Sequence, residues 1–256
     1  MAKATPLNSF LDQAGSLSKF SFRFLWQWFK PRYEGSEFLR QCYVIGYNSL
    51  PLIGLTGFIM GLVLTMQLRP SMIEYGVESQ LPAIVGISVV REIGPVITAL
   101  IFAGKIGSSI GAELGSMKVT EQIDAMQVSG TNPFKYLVVS RVLAATLMLP
   151  ILVILSDAIS LYGSYIGVNI RGNTSFNLFW TQVFDNLAFY DVLPAFIKTF
   201  FFGFAVGIIG CFKGYNSNKG TEGVGRSANS AVVVSSIMIF ILDLLAVQIT
   251  DVLGFN

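Results

Sequence analysis

The stretch that decides the fold runs from Ser88 to Pro133 and reads SVVREIGPVITALIFAGKIGSSIGAELGSMKVTEQIDAMQVSGTNP. It places the adjacent charges of Arg91 and Glu92 inside an apolar run, then glycines at four-residue spacing, then an amphipathic charged segment. An ionisable side chain within a membrane span costs a few kcal/mol on insertion scales, so such positions need a structural or functional reason. The stretch therefore indicates a membrane helix with a specialised interior.

The composition favours lipid as the main solvent of this chain. Hydrophobic residues make up 53% of it and charged residues 12%, against roughly 25% charged in an ordinary soluble domain. The net charge of +2 gives no indication of a nucleic-acid partner. We predict an all-α, polytopic membrane protein with one domain over residues 1–256, divided into a cytoplasmic or interfacial segment, 1–40, and a transmembrane core, 41–256.

Apolar runs of about 20 residues predict five membrane helices. The predicted spans are 41–68, 81–115, 142–170, 192–212 and 228–252. The charged segment from Arg69 to Pro82 is predicted to form a short re-entrant or interfacial turn, and the aromatic segment from Arg171 to Asp191 to lie at the membrane surface. Pro51 should kink the first helix, while Gly94 and Pro95 should loosen the second.

Small residues recur at the spacing that brings helices into close contact. They are Gly54, Gly57 and Gly61 in the first span, Gly107, Gly111 and Gly115 in the last part of the second, and Gly163 and Gly167 in the third. Each set leaves one face of its helix without side chains. We expect another helix to pack on each of these faces.

Two further segments have amphipathic helical patterns. Phe20–Phe29 carries aromatic residues at intervals of four, which suits a helix in the membrane interface, although a loose juxtamembrane tail is an alternative. Met117–Val128 places Val119, Ile123 and Met126 on one side. The other side carries Lys118, Glu121, Gln122 and Asp124. The segment is predicted to be a separate helix ended by residues 129–133, either a specific docking element or a plain solvated connection.

The basic residues predict the orientation of the chain in the membrane. With a cytoplasmic N-terminus, most of the 17 Lys and Arg residues fall in segments on the inner side, as the positive-inside rule requires. Five spans then place the C-terminus on the outer side. Cys42 and Cys211 fall at the reducing side, where free thiols are expected.

Composition excludes several kinds of catalytic site. The chain has no histidine and only two cysteines, which rules out Ser/His/Asp and Cys/His arrangements and histidine-ligated metals. Gly104-Lys105 lacks the other residues of a nucleotide phosphate loop, and the Gly220–Gly225 segment lacks the order of a dinucleotide fingerprint. We therefore predict no catalytic, metal or cofactor site on this chain.

Five ionisable residues fall within the predicted spans. They are Arg91, Glu92, Asp157, Lys198 and Asp243. Structural ion pairing explains such residues as well as function does, and three or more of them also suit a proton or ion pathway. The residues themselves leave two functions open: a membrane scaffold for an envelope complex, or a proton-coupled secondary transporter using Glu92 and Asp157.

The chain closely resembles the MlaE/YrbE permease family, the membrane subunits of Mce-associated ABC transporters. The resemblance is carried by the segments REIGP, AGKIGSSIGAELG and MKVTEQIDAM, together with five spans after an amphipathic helix. The resemblance covers about Phe38 to Asn256. It implies a homodimer in the inner membrane that moves phospholipid. It further implies cytoplasmic ATPase partners that hold ATP and magnesium, an Mce-domain periplasmic partner and, in several systems, a STAS-domain protein.

The same resemblance assigns candidate site residues by motif position. The lipid pocket would be lined by Leu64, Met72, Tyr75, Arg91, Glu92 and Ile93. The family's coupling helix corresponds to Met117–Val128, where the ATPase would meet Lys118, Glu121, Gln122, Asp124 and Met126. On this reading Glu121 and Asp124 contact basic groups of the partner.

Overall fold

The computed structural model describes residues 6–29, 35–170, 172–218 and 220–252. Within these ranges all regular secondary structure is helical, which confirms the all-α prediction. The α-helices are α1 (Pro6–Trp28), α2 (Gly35–Tyr47), α3 (Leu50–Glu74), α4 (Leu81–Ser88), α5 (Gly94–Phe102), α6 (Ser108–Val119), α7 (Gln122–Val128), α8 (Ser140–Asn169), α9 (Phe176–Asn186), α10 (Phe189–Tyr215) and α11 (Thr221–Val252). A 3₁₀ turn, Glu78–Gln80, and three π turns, Val89–Ile93, Ala103–Gly107 and Phe134–Val139, join some of them.

Five helical segments of the described chain are long and apolar enough to cross a membrane, which confirms the predicted number. They are Gly35–Glu74, Glu78–Val119, Phe134–Asn169, Phe189–Tyr215 and Thr221–Val252. In place of the kink predicted at Pro51, the first span has a short break just before it, because α2 ends at Tyr47 and α3 begins at Leu50. Pro51 lies in the first turn of α3, where its missing N–H group removes no helical hydrogen bond.

Three connections differ from the predictions. The turn predicted for Arg69–Pro82 is shorter, because α3 continues through Pro70 to Glu74. The aromatic segment after the third span contains a helix, α9, whose first turn is capped by the Ser175 hydroxyl accepting from the Leu178 N–H group. The last helix begins at Thr221, so the polar connection before it is also shorter than predicted.

The amphipathic helix predicted for Phe20–Phe29 is confirmed as part of α1, which begins earlier, at Pro6, and ends at Trp28. Phe20 and Phe24 are buried, whereas Phe22 is 67% exposed. The Phe20 ring lies 5.0 Å from the Phe134 ring, so α1 is anchored by aromatic contacts. Residues 1–5 and 30–34 of the predicted N-terminal segment lie outside the described residues, and its place at the membrane surface stays a prediction.

The chain divides into two compact units, while the single domain predicted for residues 1–256 stays a prediction. The first unit comprises Met1–Cys42, Ala103–Ala145 and Phe204–Ser235. The second comprises Tyr43–Phe102, Thr146–Gly203 and Ser236–Asn256.

In the first unit the predicted glycine face is confirmed. A Cβ atom at Gly111 would lie 3.2 Å from the Ala228 α-carbon and 3.3 Å from the Ala231 side chain of α11. Gly107 and Gly115 also face neighbouring helices of this unit. The close approach of α6 to α11 therefore depends on small residues in both helices.

In the second unit α3 and α8 pack through small residues, which confirms the predicted faces of the first and third spans. A Cβ atom at Gly61 would overlap the backbone of Ser160, and one at Gly163 would overlap the Phe58 carbonyl group. The buried Ser160 and Ser164 hydroxyls donate to the carbonyls of Gly57 and Gly61, at 2.8 and 3.1 Å respectively. Hydroxyl-to-carbonyl bonds thus reinforce the contact between two apolar helices.

The two cysteines are free thiols, as predicted, with Cys42 half-buried and Cys211 buried. The first unit also holds a fully buried arginine, Arg141, which donates to Glu113 at 2.7 Å and to the Leu137 carbonyl at 3.0 Å. These two bonds compensate part of the cost of enclosing the charge.

Candidate functional site

A π turn in the second unit positions Arg91 and Glu92. It spans Val89–Ile93, and the Gly94 N–H group donates to the Val89 carbonyl five residues earlier. Pro95 follows and has no N–H group, so the regular hydrogen-bond pattern cannot resume at once. The local loosening predicted beside Gly94 and Pro95 is therefore present, in the form of a widened turn of the type that recurs at functional sites.

An apolar cluster of the second unit fixes this turn. Val89 is fully buried together with Leu81 and Val85 of α4, and Phe179 of α9 belongs to the same cluster. These contacts hold one side of the π turn. Arg91 is thereby held at a defined position on the helix.

Lys198 of α10 joins two carboxylates from two other spans. Its Nζ atom lies 2.5 Å from Glu92 Oε2 and 2.9 Å from Asp243 Oδ1 of α11. The lysine side chain is only 6% exposed, while that of Glu92 is 41% exposed. A single buried cation therefore ties the second, fourth and fifth spans together within this unit.

Arg91 makes a second, looser ion pair. Its Nη1 atom lies 3.4 Å from Asp191 Oδ1, and the Arg91 side chain is 40% exposed. Asp191 is held at the start of α10, because its Oδ2 atom accepts from the Ala188 N–H group at 3.1 Å. We call Arg91, Glu92, Asp191, Lys198 and Asp243 the charged cluster.

Four residues of the charged cluster line a small polar cavity that adjoins an apolar cleft. The cavity is lined by Arg91, Glu92, Asp191 and Lys198, and the cleft lies between α10 and α11. The cleft has a volume of about 500 Å³, within the range of about 300–1,000 Å³ common for ligand sites. Its apolar walls include Leu193, Ile197 and Phe201 of α10 and Leu242, Leu245 and Ile249 of α11. Lys198 borders both spaces, so the second unit offers polar and apolar surfaces side by side.

The structure brings some of the predicted lipid-pocket residues together and separates others. Arg91 and Glu92 share the polar cavity, and Ile93 follows them in the π turn. Leu64 and Met72 are half-buried against the apolar cluster that fixes the π turn. Tyr75 lies at the end of α3 and is 76% exposed.

A separate helix after the second span is confirmed as α7, but the predicted bounds, Met117–Val128, are wrong, and the coupling role stays a prediction. Helix α6 continues to Val119, and α7 begins only at Gln122. Glu121 separates them with a φ angle of 58°, in the left-handed region. A non-glycine residue in that region costs about 1–2 kcal/mol. The chain therefore changes direction between α6 and α7 although the local backbone preference of glutamate opposes it.

The charges of this segment partly compensate one another. Lys118 Nζ lies 3.1 Å from Asp124 Oδ1 across the break. Ile123 is buried and Met126 half-buried, while Glu121 and Gln122 are exposed. Gly130, with a φ angle of 81°, follows the end of α7. The amphipathic pattern is thus confirmed for α7, whose polar residues Gln122, Asp124 and Gln127 are exposed.

The sequence analysis left Asp191 out of the site and gave Lys198 and Asp243 no role in it. A signal was present for the last two, because a membrane interior favours pairing of opposite charges. Asp191 lay in a segment interpreted as membrane surface, and no pattern linked it to Arg91, which lies 100 residues earlier.

The five apolar spans and the charged cluster that borders an apolar cleft define a polytopic membrane protein with an amphipathic interior site. The chain matches the family Permease MlaE over residues 38–249, and it belongs to this family. The family predicted from the sequence is therefore confirmed.

Curated relatives agree over most of their length. A probable ABC transporter permease protein of Rickettsia typhi is 40% identical over 240 residues, covering 94% of this chain and 93% of the relative. The intermembrane phospholipid transport system permease protein MlaE of Haemophilus influenzae is 36% identical over 213 residues, covering 82% and 81%. A probable ABC transporter permease protein of Synechocystis is 37% identical over 203 residues, covering 79% and 77%.

Proposed function

We propose that this chain is the membrane-spanning permease subunit of an ABC transporter that moves phospholipid between membranes. The observation that carries the proposal is the charged cluster beside the apolar cleft, inside a chain of five spans. A phospholipid presents an ionic headgroup and apolar chains to its binding site, and this site offers both kinds of surface. The name of the Haemophilus relative, which specifies phospholipid transport, supports the same substrate class.

Arg91 is the residue proposed to bind the lipid phosphate. Guanidinium groups bind phosphate through paired hydrogen bonds. The 3.4 Å separation from Asp191 is longer than the roughly 2.7–2.9 Å of a strong charge-assisted bond. A phosphate group therefore competes with Asp191 for the exposed part of the guanidinium. Glu92 and Asp243 are left to hold Lys198 or to meet a headgroup ammonium.

The acyl chains are proposed to lie in the cleft between α10 and α11. Ile197 and Phe201 offer apolar walls next to Lys198, so a lipid can span from the cleft to the polar cavity. In a homodimer, Leu64, Met72, Tyr75 and Ile93 would complete the pocket from the first two spans. Low burial of the first and last spans, 28% and 17%, leaves apolar surface for lipid or for a second copy.

The segment around Glu121 is proposed to contact a cytoplasmic ATPase subunit. That partner would bind ATP and magnesium, and this chain would catalyse no reaction itself. Glu121 and Gln122 are exposed on the polar side of the α6–α7 break, and Lys118, Asp124 and Met126 surround it. An Mce-domain protein on the periplasmic side and a STAS-domain protein on the ATPases complete the proposed assembly.

The proposed location is the bacterial inner membrane, with the N-terminus cytoplasmic and the C-terminus periplasmic. The distribution of the 17 basic residues supports this orientation.

Reconstitution with the partner ATPase tests the proposal. The complex is placed in vesicles of phosphatidylethanolamine and phosphatidylglycerol with a fluorescent phospholipid, and ATP-dependent transfer to an acceptor is measured. Arg91→Gln should lower the transfer rate about tenfold or more, because the phosphate loses a charged partner. The matched control is Arg226→Gln, since Arg226 forms an ion pair with Glu222 in which both side chains are exposed.

Each outcome of this experiment decides between functions. ATP-dependent transfer that Arg91→Gln lowers about tenfold or more and Arg226→Gln preserves supports the permease. Transfer that needs no ATPase but follows a proton gradient indicates the proton-coupled transporter. A stable complex that transfers no lipid under either condition indicates a scaffold, and transfer unaffected by Arg91→Gln overturns the assignment of the headgroup site.

A further inference from the structure

Asp157 differs from the other ionisable residues of the second unit's spans. It lies in the middle of α8, and its Oδ1 atom is buried without a hydrogen-bond partner among the residues that the structure describes. Arg91, Glu92, Lys198 and Asp243, by contrast, each belong to an ion pair. A lone carboxylate in hydrocarbon is costly, so its position needs an explanation.

The Asp157 carboxyl group packs directly on the residue that closes the π turn. A Cβ atom built on Gly94 would lie 2.9 Å from Asp157 Cγ and would overlap Oδ1. The same Cβ atom would lie 2.8 Å from the Val89 carbonyl, which accepts from the Gly94 N–H group. Gly94 thus leaves room for both the π turn and the carboxyl group, and Asp157 lies against the backbone that carries Arg91 and Glu92.

Within the described part of the chain, no cation on the elements packed against Asp157 forms an ion pair with its carboxyl group. From α5 the neighbouring polar group is the Thr98 hydroxyl, which already donates to Ser156 at 3.0 Å. On α3, Gly57 and Gly61 pack against Ser156 and Ser160 of α8, and the Ser160 and Ser164 hydroxyls donate to their carbonyls.

The other titratable groups of these elements have positions or partners of their own. On the second span they are Arg91 and Glu92, which pair with Asp191 and Lys198, and on α3 they are Arg69 and Glu74 at its far end. An ionised Asp157 would therefore be uncompensated, and the neutral carboxylic acid is the form that fits this contact.

We propose that Asp157 is a positioning residue that holds the π turn, and with it Arg91 and Glu92, only while its carboxyl group carries a proton. In that form the group is neutral and packs on Gly94. When the proton leaves to water, the carboxylate needs solvation, and the tight contact at Gly94 has no space for a water molecule. The α5–α8 contact then opens and the π turn is released.

The inference concerns the backbone, so it does not require that the charged cluster binds lipid. It rests on the proposed function only in the role given to Arg91. Its test therefore uses a measurement that is independent of transport. Failure of that measurement leaves the lipid proposal standing, and failure of lipid transfer leaves this inference standing.

Hydrogen exchange of the full chain in phospholipid nanodiscs provides the test. Protection factors are measured for peptides covering residues 85–98 and are referred to a peptide around Gly57 and Gly61, which removes the intrinsic effect of pH on exchange. In the wild-type protein the π turn should lose protection about tenfold or more from acidic to alkaline pH, as the carboxyl group ionises. Asp157→Asn keeps the shape of the neutral acid, so it should stay protected at both pH values.

Two further variants separate this role from plain packing. Asp157→Ala removes the group above Gly94 and should lower protection at every pH. Ser156→Ala removes the neighbouring hydroxyl and should preserve the pH response of the wild type. A wild-type turn whose protection does not vary with pH overturns the proposal, and so does an Asp157→Asn variant that responds to pH like the wild type.

Discussion

Replacing Lys198 with methionine tests the charged cluster directly. Lys198 Nζ contacts Glu92 Oε2 at 2.5 Å and Asp243 Oδ1 at 2.9 Å, and its side chain is 6% exposed. Methionine keeps an apolar stem in the same space but removes the charge. Glu92 and Asp243 then lose their shared cation and face each other as like charges.

The expected loss of stability follows from the burial of the three groups. Removing one partner of a fully buried ion pair costs about 3–5 kcal/mol. The Glu92 side chain is 41% exposed and that of Asp243 15% exposed, so water relieves part of this cost. We therefore expect Lys198→Met to lower the unfolding free energy by about 2–3 kcal/mol, which corresponds to roughly 5–10 °C in Tm for a chain of this length.

Thermal unfolding of the purified protein in nanodiscs measures this loss. Lys19→Met is the matched control, because Lys19 is exposed on α1. A triple variant that adds Glu92→Gln and Asp243→Asn should recover most of the lost stability, since neutral amides do not repel each other. The reasoning is refuted if Lys198→Met is as stable as the wild type, or if the neutral triple variant is as unstable as Lys198→Met alone.

Three other predictions concern packing and the coupling segment. Gly61→Ala should destabilise the protein by about 1–3 kcal/mol because its Cβ atom meets the α8 backbone. Gly225→Ala, whose Cβ atom would have no neighbour within 4 Å, should be neutral or slightly stabilising in thermal unfolding, and equal losses of stability for the two variants would contradict the packing argument. Glu121→Lys should reduce stimulation of the partner ATPase at unchanged Tm. Glu121→Gly should raise Tm because glycine adopts the left-handed conformation freely, and a lower Tm for this variant would exclude backbone strain at Glu121. Phe20→Ala should lower the unfolding free energy by about 3–5 kcal/mol, whereas Phe22→Ala, on the exposed side of α1, should change vesicle binding and leave Tm unchanged. A Phe20→Ala variant with the wild-type Tm would show that other contacts anchor α1.

The close helix contacts could be predicted because their signal is local. Gly57 and Gly61 occur one helical turn apart, and that spacing alone defines a face without side chains. The structure places the α8 backbone on this face. The partner helix could not be identified, because Ser160 carries no mark in the sequence that it donates to the Gly57 carbonyl.

The break at Glu121 could not be predicted, for a physical reason. Glutamate favours helices and the apolar pattern continues across it, so every local preference indicates one helix. The features that accompany the left-handed conformation at Glu121 are tertiary, since Ile123 is buried and Lys118 pairs with Asp124 across the break. Helix α9 was missed although Ser175 offered a capping signal, because the aromatic residues around it were interpreted as a membrane-surface pattern.

For a site such as the charged cluster, the sequence predicts which residues need compensation but not which residues provide it. The cost of Arg91 and Glu92 is local, because two ionisable residues interrupt an apolar run. Their compensation is distant, since Lys198 lies 106 positions after Glu92 and Asp243 a further 45 positions on. For these residues the structure supplies the missing partners. Asp157 has the same local cost, but none of the described residues donates to its Oδ1 atom. Because Asp157 packs on Gly94, a charge on Asp157 would disturb the π turn. We therefore explain the presence of Asp157 by its effect on the position of Arg91 and Glu92.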